Sequence, residues 1–491
     1  MLIYHHQLRG RQGKALVLFA VALPAVLGVV GIVVDGEMMI ENYRQSQHVA
    51  DSAATAAAMD LRLGKSVNTA KTTGVNYANS VNGMLDANIT VNSPPLTGTF
   101  AGRSNFVEVL ADRSFNTRLL QVFGGSSSAS YQTRSVAGLR PVTKGAAIVV
   151  LDPNPAGISI ISGLPNLLSP RISLLAGFEV EGIGNLKVNG AILVNTNWGG
   201  FNEDRILIGD QPPLPYGMCC TPLTTLSRVW ASDIRVSGGV DNPSNYKNID
   251  QSSKSPLHAG RLAVPDPLKD LVPPCTASDP KNVSTQNKGG VSILQIPLIS
   301  PPVVLTPGVY DWIEIVTGTV TFSPGIYIIR GKNPVTQISL NVLAGTVNSN
   351  GAMFYITDSA GYSAATGSPD SADDAPSPLV VTNLLPSVVI QSGLLGGGFT
   401  PLNDPSSPYD GMLFYQRRVD RRPILIVCNN SLLFGSMSGL IYAKYGHVSF
   451  ATGGTFDLRF VVGTLRIATV LDTTLQPSKL LPPAYDVHLV E

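Results

Sequence analysis

Few side chains in this sequence are of kinds that do chemistry. The carboxylates that gather are Asp370, Asp373 and Asp374, followed by Asp404 and Asp410, and the basic group is Arg417, Arg418, Arg421 and Arg422, with Asp420 among them. Carboxylates on neighbouring strands can serve as acid and base on a glycosidic bond. A basic side chain beside a calcium-binding acidic cluster could act on an acidic sugar. The surroundings argue for something plainer. Residues 361–378 are rich in Ser, Ala, Pro and Gly, and three carboxylates without fixed spacing specify no coordination shell, so this stretch is expected to be a solvated acidic loop. Arg417 to Arg422 flank a strand and read as a surface charge group, because charged residues stay exposed by default. His447 reads as a turn residue. Cys219 and Cys220 are adjacent, Cys275 follows two prolines and Cys428 stands in an apolar run. A bridge from Cys219 or Cys220 to Cys275 is left open, since sequence does not reveal whether the Cα atoms approach closely enough. No CxxC, G-x-S-x-G, P-loop or H-E-x-x-H spacing occurs. We therefore expect no catalytic, cofactor-binding or metal-ligating residues and no cofactor; the expectation is a protein that is not an enzyme.

The elements around these residues are more informative. Of 491 residues, 44% are hydrophobic and only 14% charged, with 48 Gly and 36 Pro. That charge content lies well below the roughly 25% of an ordinary soluble domain, and the Gly and Pro content suggests a turn-rich β protein. A net charge of +1 gives no field to attract nucleic acid, and no basic patch interleaved with aromatics is present.

Residues 15–34 carry no polar or charged side chain. At about 1.5 Å per residue they span about 30 Å, the thickness of a bilayer's hydrocarbon core. Arg9, Arg11 and Lys14 precede the run and Asp35, Glu37 and Glu41 follow it. Basic flanks stay cytoplasmic, so residues 1–14 are expected to be a cytoplasmic tail and everything after Val34 to be exported. The run is longer than a signal peptide's apolar region and lacks a small-x-small site, which favours a retained anchor. Residues 37–63 have no Gly or Pro and are rich in Ala, the best helix former; the membrane helix is expected to continue outward, with Val49, Ala53, Ala56 and Ala57 on one side and Gln45, Asp51 and Arg62 around the other. A second helix is expected over residues 67–81.

Residues 86–140 alternate as strands at Asn88-Ile-Thr-Val-Asn92, Asn105-Phe-Val-Glu-Val-Leu-Ala111 and Ser128-Ala-Ser-Tyr-Gln-Thr-Arg-Ser-Val-Ala137, and predict a small sheet packed on the helices. From Lys144 the pattern changes to many short β-branched runs separated by Gly, Pro, Asn and Ser, which excludes a doubly wound α/β fold. Pro307-Gly-Val-Tyr310 is echoed by Pro324-Gly-Ile-Tyr327, and Gly351-Ala-Met-Phe-Tyr355 by Gly411-Met-Leu-Phe-Tyr415 and Gly439-Leu-Ile-Tyr442. Gly directly before a buried strand suits a tight corner between coil faces. Between a sandwich and a solenoid, the echoes favour a right-handed parallel β-helix. The expected organisation is a tail (1–14), a transmembrane helix (15–34), an exported helix with a small sheet (35–140) and a β-helix-like domain (141–491).

The elements Gly13-Lys-Ala-Leu-Val-Leu-Phe-Ala-Val-Ala-Leu-Pro24, the Asp35 that closes the apolar run, and Ala50-Asp-Ser-Ala-Ala-Thr-Ala-Ala-Ala58 resemble the N-terminus of TadE/TadG-like Flp pilus-assembly proteins. Prepilin-type processing expects Glu five residues after a Gly, whereas Leu18 stands five after Gly13. This departure favours the TadG-like side of the family, in which the segment is a plain anchor. Val149-Val-Leu-Asp-Pro153, Pro265-Asp-Pro-Leu268 and the Gly-led strand motifs resemble the β-helical exported region attached to some TadG-like proteins. Others in that group carry a von Willebrand A domain; its Asp-x-Ser-x-Ser metal motif is replaced here by Asp152-Pro-Asn-Pro-Ala156, so no such metal site is expected. The resemblance implies a single-pass cell-envelope protein in the inner membrane, a structural or assembly component of a Flp/Tad-type pilus or surface adhesion system. Its expected partners are membrane lipid and other pilus or envelope proteins, with cell wall or surface polysaccharide a further candidate. A membrane-tethered protein that binds or cleaves polysaccharide is the alternative.

Overall fold

The apolar run and the alanine-rich segment after it form one helix, α1 (Gln12–Arg62), 51 residues long with Pro24 inside it. The structure is a computed structural model that describes residues 12–123, 125–155, 175–209, 213–220, 227–296, 300–373, 375–377, 385–391, 397–429 and 436–491. Arg9, Arg11 and nearly all of the 1–14 tail lie outside the described residues. Two compact units are present, one made of residues 1–140 with 485–491 and the other of residues 141–484.

In the first unit, α1 begins bare. Leu16, Val17, Leu18, Phe19 and Val21 each expose between 63% and 73% of their surface, and α1 is long and apolar enough there to cross a membrane, with a mean hydropathy of 2.8 over its most apolar window. Its second half packs. Val49, Ala50, Ala53, Ala54, Ala57 and Ala58 are buried, the spacing of one helix face. Ala56 is only half-buried, and Arg62, expected on the outer side, is buried: its Nε donates to the Tyr485 carbonyl at 2.8 Å. A second helix, α2 (Val67–Asn76), is capped by the Ser66 hydroxyl, which accepts from the Thr69 N–H at 3.1 Å; a π-helical turn, Tyr77–Val81, follows.

The small sheet has four strands. β1 (Asn88–Asn92) runs antiparallel to β2 (Phe106–Asn116), with Asn88 opposite Asp112, and β2 runs antiparallel to β3 (Ser128–Pro141), with Phe106 opposite Gly138. Gly138 is required, because a Cβ there would lie 2.0 Å from the Phe106 ring. The fourth strand is Tyr485–Leu489, next to β3. Val490 N–H donates to the Val136 carbonyl, and Val136 N–H to that of Glu491, both at 2.8 Å. The last seven residues thus complete the first unit, although the sequence reading assigns them to the domain that starts at 141. The physical reason is that the outer edge of β3 carries backbone groups that need partners.

The second unit is mainly β, and among the described residues its strands pair in parallel apart from a two-residue hairpin of Gly200–Phe201 and Leu207–Ile208 and isolated antiparallel bridges at Ala146–Leu481 and Phe201–Val240. Its strands stack in ladders. One ladder joins Gly308–Thr317, Gly325–Ile329, Ala352–Ile356, Met412–Gln416 and the start of the long run Ser436–Leu475. A second runs through residues 313–315, Leu340–Val342, Val388–Gln391 and Ile424–Asn429 to residues 448–453. A third joins Val303–Leu305, Thr319–Phe322, Thr346–Ser349 and Gly397–Phe399 to residues 436–437. Two of the Gly residues that lead these motifs sit at corners with positive φ: Gly325 at 131° and Gly439 at 114°. Added Cβ atoms would meet Pro307 at 2.5 Å and Pro401 at 2.7 Å.

Stacking order is not chain order. The first strands of the unit, Ala146–Val150, Ala176–Gly182 and Leu186–Val194, pair with residues 460–475 near its end. Val229–Val236 and then Leu257–His258 stack beyond them. The chain must therefore return past several layers between His258 and Asn287. It does so as a strap along the first ladder, from Val264 at Asn195 to Asn282, whose carbonyl accepts from Ile326 N–H at 3.0 Å.

The strap explains the sequence pattern. Strand residues alternate between faces, and here both faces are buried. Tyr327, Phe354, Phe414 and Ile441 belong to the inner core; Ile328, Tyr355, Tyr415 and Tyr442 belong to an outer core that also takes in Val283, with Val264, Leu268 and Leu271 packed against it. Strands buried on both faces read as near-continuous apolar runs, as in Met412-Leu-Phe-Tyr415.

Candidate functional site

The residues whose types could do chemistry converge at the strap and the loops beside it. Asp370 is buried; it accepts from the Tyr355 hydroxyl at 2.7 Å and from Thr357, and Arg417 Nε lies 3.2 Å away. Burial raises its pKa despite these partners. Arg417 also pairs with Asp373. Asp374 lies outside the described residues. Asp370 is thus not a solvated carboxylate: one oxygen accepts from the Tyr355 and Thr357 hydroxyls, and Arg417 lies beside the other.

The arginines are not a surface group either. Arg422 exposes 1% of its surface and Arg418 8%. Arg422 donates to Asp420 at 2.9 Å and to Ser339 at 3.3 Å, and lies 3.5 Å from Asp358. Arg418 donates to the Tyr442 hydroxyl at 2.9 Å and to the strap carbonyls of Leu268 and Leu271. Arg421 donates to the Ser377 carbonyl and lies 3.6 Å from Asp152, the residue at the position of the absent Asp-x-Ser-x-Ser motif.

Hydroxyls on the outer face read the strap in sequence. Tyr442 donates to Asp266, Tyr415 to the Leu271 carbonyl, Tyr409 to that of Val272 and Tyr362 to that of Pro274. Further along, Lys281 and Asn282 bond to Asp404 and, with Ser406, hold its carboxyl well below the usual range. Sequence reasoning missed the strap. The available signal was the Tyr that follows an inward aromatic or aliphatic residue at Tyr355, Tyr415 and Tyr442, so that its hydroxyl must face outward and find a partner.

All four cysteines are buried and none forms a disulfide, so neither Cys219 nor Cys220 bridges Cys275. Cys220 points into the inner core, while Cys275 donates its N–H to the Ser278 hydroxyl on the strap. Among the described residues, no group of three His, Cys, Asp or Glu side chains is placed to hold a metal.

His447 is no turn residue. It lies within the long run Ser436–Leu475, buried, with Nδ1 2.9 Å from the Thr464 hydroxyl. Burial pushes its pKa down to about 4. Between that value and an unfolded value near 6.5, the unfolded chain binds the proton and the folded chain does not. Stability is therefore complete above about pH 6.5 and falls as pH drops toward 4, by about 3 kcal/mol for this group. We expect the unfolding free energy of His447→Gln to fall less between pH 7.5 and 4.5 than that of the parent; equal slopes in denaturant titrations would remove His447 from the account.

Asp410 borders a polar cleft of about 390 Å³ together with Asn350, Asn403, Asp457, Arg459 and Lys479. Lys479 pairs with Asp410, and Arg459 donates to the Gly411 carbonyl at 3.3 Å.

In the first unit the polar residue that ends the apolar run has a defined task. Asp35 is 2% exposed, and its carboxylate accepts from the N–H groups of Arg118 at 3.1 Å and Leu119 at 3.0 Å. It thereby holds the loop ahead of the short 3-10 helix Leu120–Phe123. Glu108 is buried too. Burial alone would raise its pKa, but Arg134 at 2.8 Å, with Asn92, Leu96 and Thr97, holds it below the usual value.

A bare apolar helix that continues into a small α+β unit fits a membrane-anchored protein. Residues 13–60 match the family model described as putative Flp pilus-assembly TadE/G-like, so the chain carries a TadE/G-like segment over most of α1. No curated protein and no solved structure matches the chain.

Proposed function

We propose that this chain is a single-pass inner-membrane protein that serves a Flp/Tad-type pilus or surface system as a structural or assembly component. Residues 15–34 span the membrane with the N-terminus cytoplasmic, and the residues after Val34 stand outside. The parallel ladders of residues 146–475 wind as a right-handed β-helix that presents a surface to other envelope proteins, and the chain does not act as an enzyme. The observation that carries this reading is the bare apolar start of α1 followed directly by a buried, fully engaged Asp35, within the segment that matches the TadE/G-like model. The non-enzymatic part is supported by the pairing of Asp370, Asp373, Arg417, Arg418 and Arg422 into the packing of the strap and its neighbouring loops.

Protease added to intact spheroplasts is expected to digest both units while an N-terminal tag survives in the membrane fraction. Recovery of the mature chain in the soluble fraction would defeat the anchor. Deleting the chain should abolish assembled pili or surface attachment; normal pili and normal attachment in the deletion strain would defeat the assembly role and leave the anchor standing. The polar cleft at Arg459 and Lys479 favours a second reading, a tethered polysaccharide-binding protein. Saturable binding of an acidic polysaccharide that is lost in Arg459→Ala would support it.

A further inference from the structure

We propose that the loop at residues 118–122 is a second membrane contact, which dips into the outer leaflet beside the helix that spans it. The proposal rests on the reading that residues 15–34 cross the membrane. Two contacts fix the loop's height. A Cβ at Gly31 would lie 3.1 Å from the Leu119 Cβ, so Leu119 packs directly on the helix at Gly31. Asp35, one turn further on, holds the Arg118 and Leu119 N–H groups. Gly31 is three residues inside the apolar run, about 5 Å below its end at 1.5 Å per residue. Leu119 is therefore at the depth of hydrocarbon, not of water, if the helix spans.

The side chains suit that depth. Val122 exposes 71% of its surface and Leu119 36%, and Leu27, Val30 and Val34, on the helix turns around Gly31, are exposed as well. Arg118 is exposed beside them, where its long stem lets the guanidinium reach the headgroups. An apolar element lying about 5–10 Å into the headgroup boundary is how interfacial segments bind. The buried Asp35 carboxylate satisfies loop N–H groups that water could not reach there. The consequence is orientation: a single helix can rotate and tilt freely, whereas a helix with a second foothold sets one face of the first unit toward the membrane.

The test uses the full chain in lipid vesicles, with a nitroxide placed in turn at Val122→Cys, Val26→Cys and Leu85→Cys. The native thiols are buried, and the unsubstituted chain measures any background labelling. Leu85, 82% exposed, is the aqueous reference. Collision with oxygen, relative to a water-soluble nickel chelate, is expected to be several-fold higher at residue 122 than at residue 85, with residue 26 higher still. A residue 122 label as accessible to nickel as residue 85, while residue 26 stays in lipid, would overturn the loop contact and leave the span intact. A label at 122 shielded from both reagents would place a protein there and also overturn it. An aqueous label at residue 26 would overturn the span and the loop together.

Discussion

Arg422→Leu is expected to destabilise the residue 141–484 unit by about 3–5 kcal/mol, the usual cost of removing one partner from a buried ion pair. Arg422 exposes 1% of its surface and lies against Asp420 at 2.9 Å and Asp358 at 3.5 Å. Burial opposes its charge, but the two carboxylates outweigh burial and raise its pKa above the ordinary value. Leucine fills much of the volume, so the loss comes from charge: Asp420, itself 8% exposed, keeps a carboxylate with no cation. The second substitution separates the causes. Asp420→Asn still offers an oxygen to the Arg422 N–H, which Asp420 Oδ1 accepts at 2.9 Å, but removes the stranded charge. The double variant should therefore recover part of the loss. Chemical denaturation of the isolated 141–484 unit, or of the whole chain followed by probes in that unit, measures both. A single variant within about 0.5 kcal/mol of the parent, the range of ordinary surface substitutions, would mean that the cluster is solvated after all.

How these charges came to be misread as surface features shows what sequence can and cannot carry. The long apolar helix was legible because a bilayer sets a length and excludes polarity, and residues 15–34 meet both conditions without reference to the rest of the chain. The β1, β2 and β3 strands were legible because alternation is local. Parallel strands were legible as a class, through short apolar runs led by Gly. What stayed hidden depends on non-local stacking. Arg418 looks exposed until a strap some 150 residues earlier in the chain brings the Leu268 and Leu271 carbonyls to it. His447 looks like a turn residue, yet it lies buried within one continuous run, with its ring against the Thr464 hydroxyl. Sequence leaves a bridge from Cys219 or Cys220 to Cys275 open, but Cys275 belongs to the strap and they belong to a strand. In each case the residue type was read correctly and the neighbour was not, since the neighbour comes from stacking out of chain order.

The largest consequence of that order lies at the chain's last residues. Removing Tyr485–Glu491 is expected to unfold the sheet of the first unit, whereas removing residues 143–483 and joining the ends through a short Gly/Ser linker is expected to leave it folded. The fourth strand, Tyr485–Leu489, covers the edge of β3. Its loss would expose Val136 N–H and C=O, which pair with Glu491 and Val490 at 2.8 Å. It would also remove the Tyr485 carbonyl from Arg62, which is 4% exposed, and Glu491 from Arg134. Arg62 would keep a buried charge and lose one of its hydrogen bonds, a cost of about 1–3 kcal/mol, and a four-stranded unit of this size has little stability in reserve. The excision is tolerated for a geometric reason. The second unit starts and ends at one place: Val142 N–H donates to the Ala484 carbonyl at 2.9 Å, and Ala146 and Leu481 form an antiparallel bridge. A few flexible residues therefore replace 341 without straining β3 or the last strand, because short linkers close such gaps at small entropic cost. Circular dichroism and amide-exchange protection of β2 and β3, measured on residues 35–491 variants in solution, decide the matter. Protection retained after loss of Tyr485–Glu491, or lost after the excision, would show that the last strand is an accessory and that the first unit depends on the second for its fold. The expected result is the reverse: the first unit is one folding unit into whose chain the β unit is inserted, so the β unit could be exchanged without disturbing the part that carries the TadE/G-like segment.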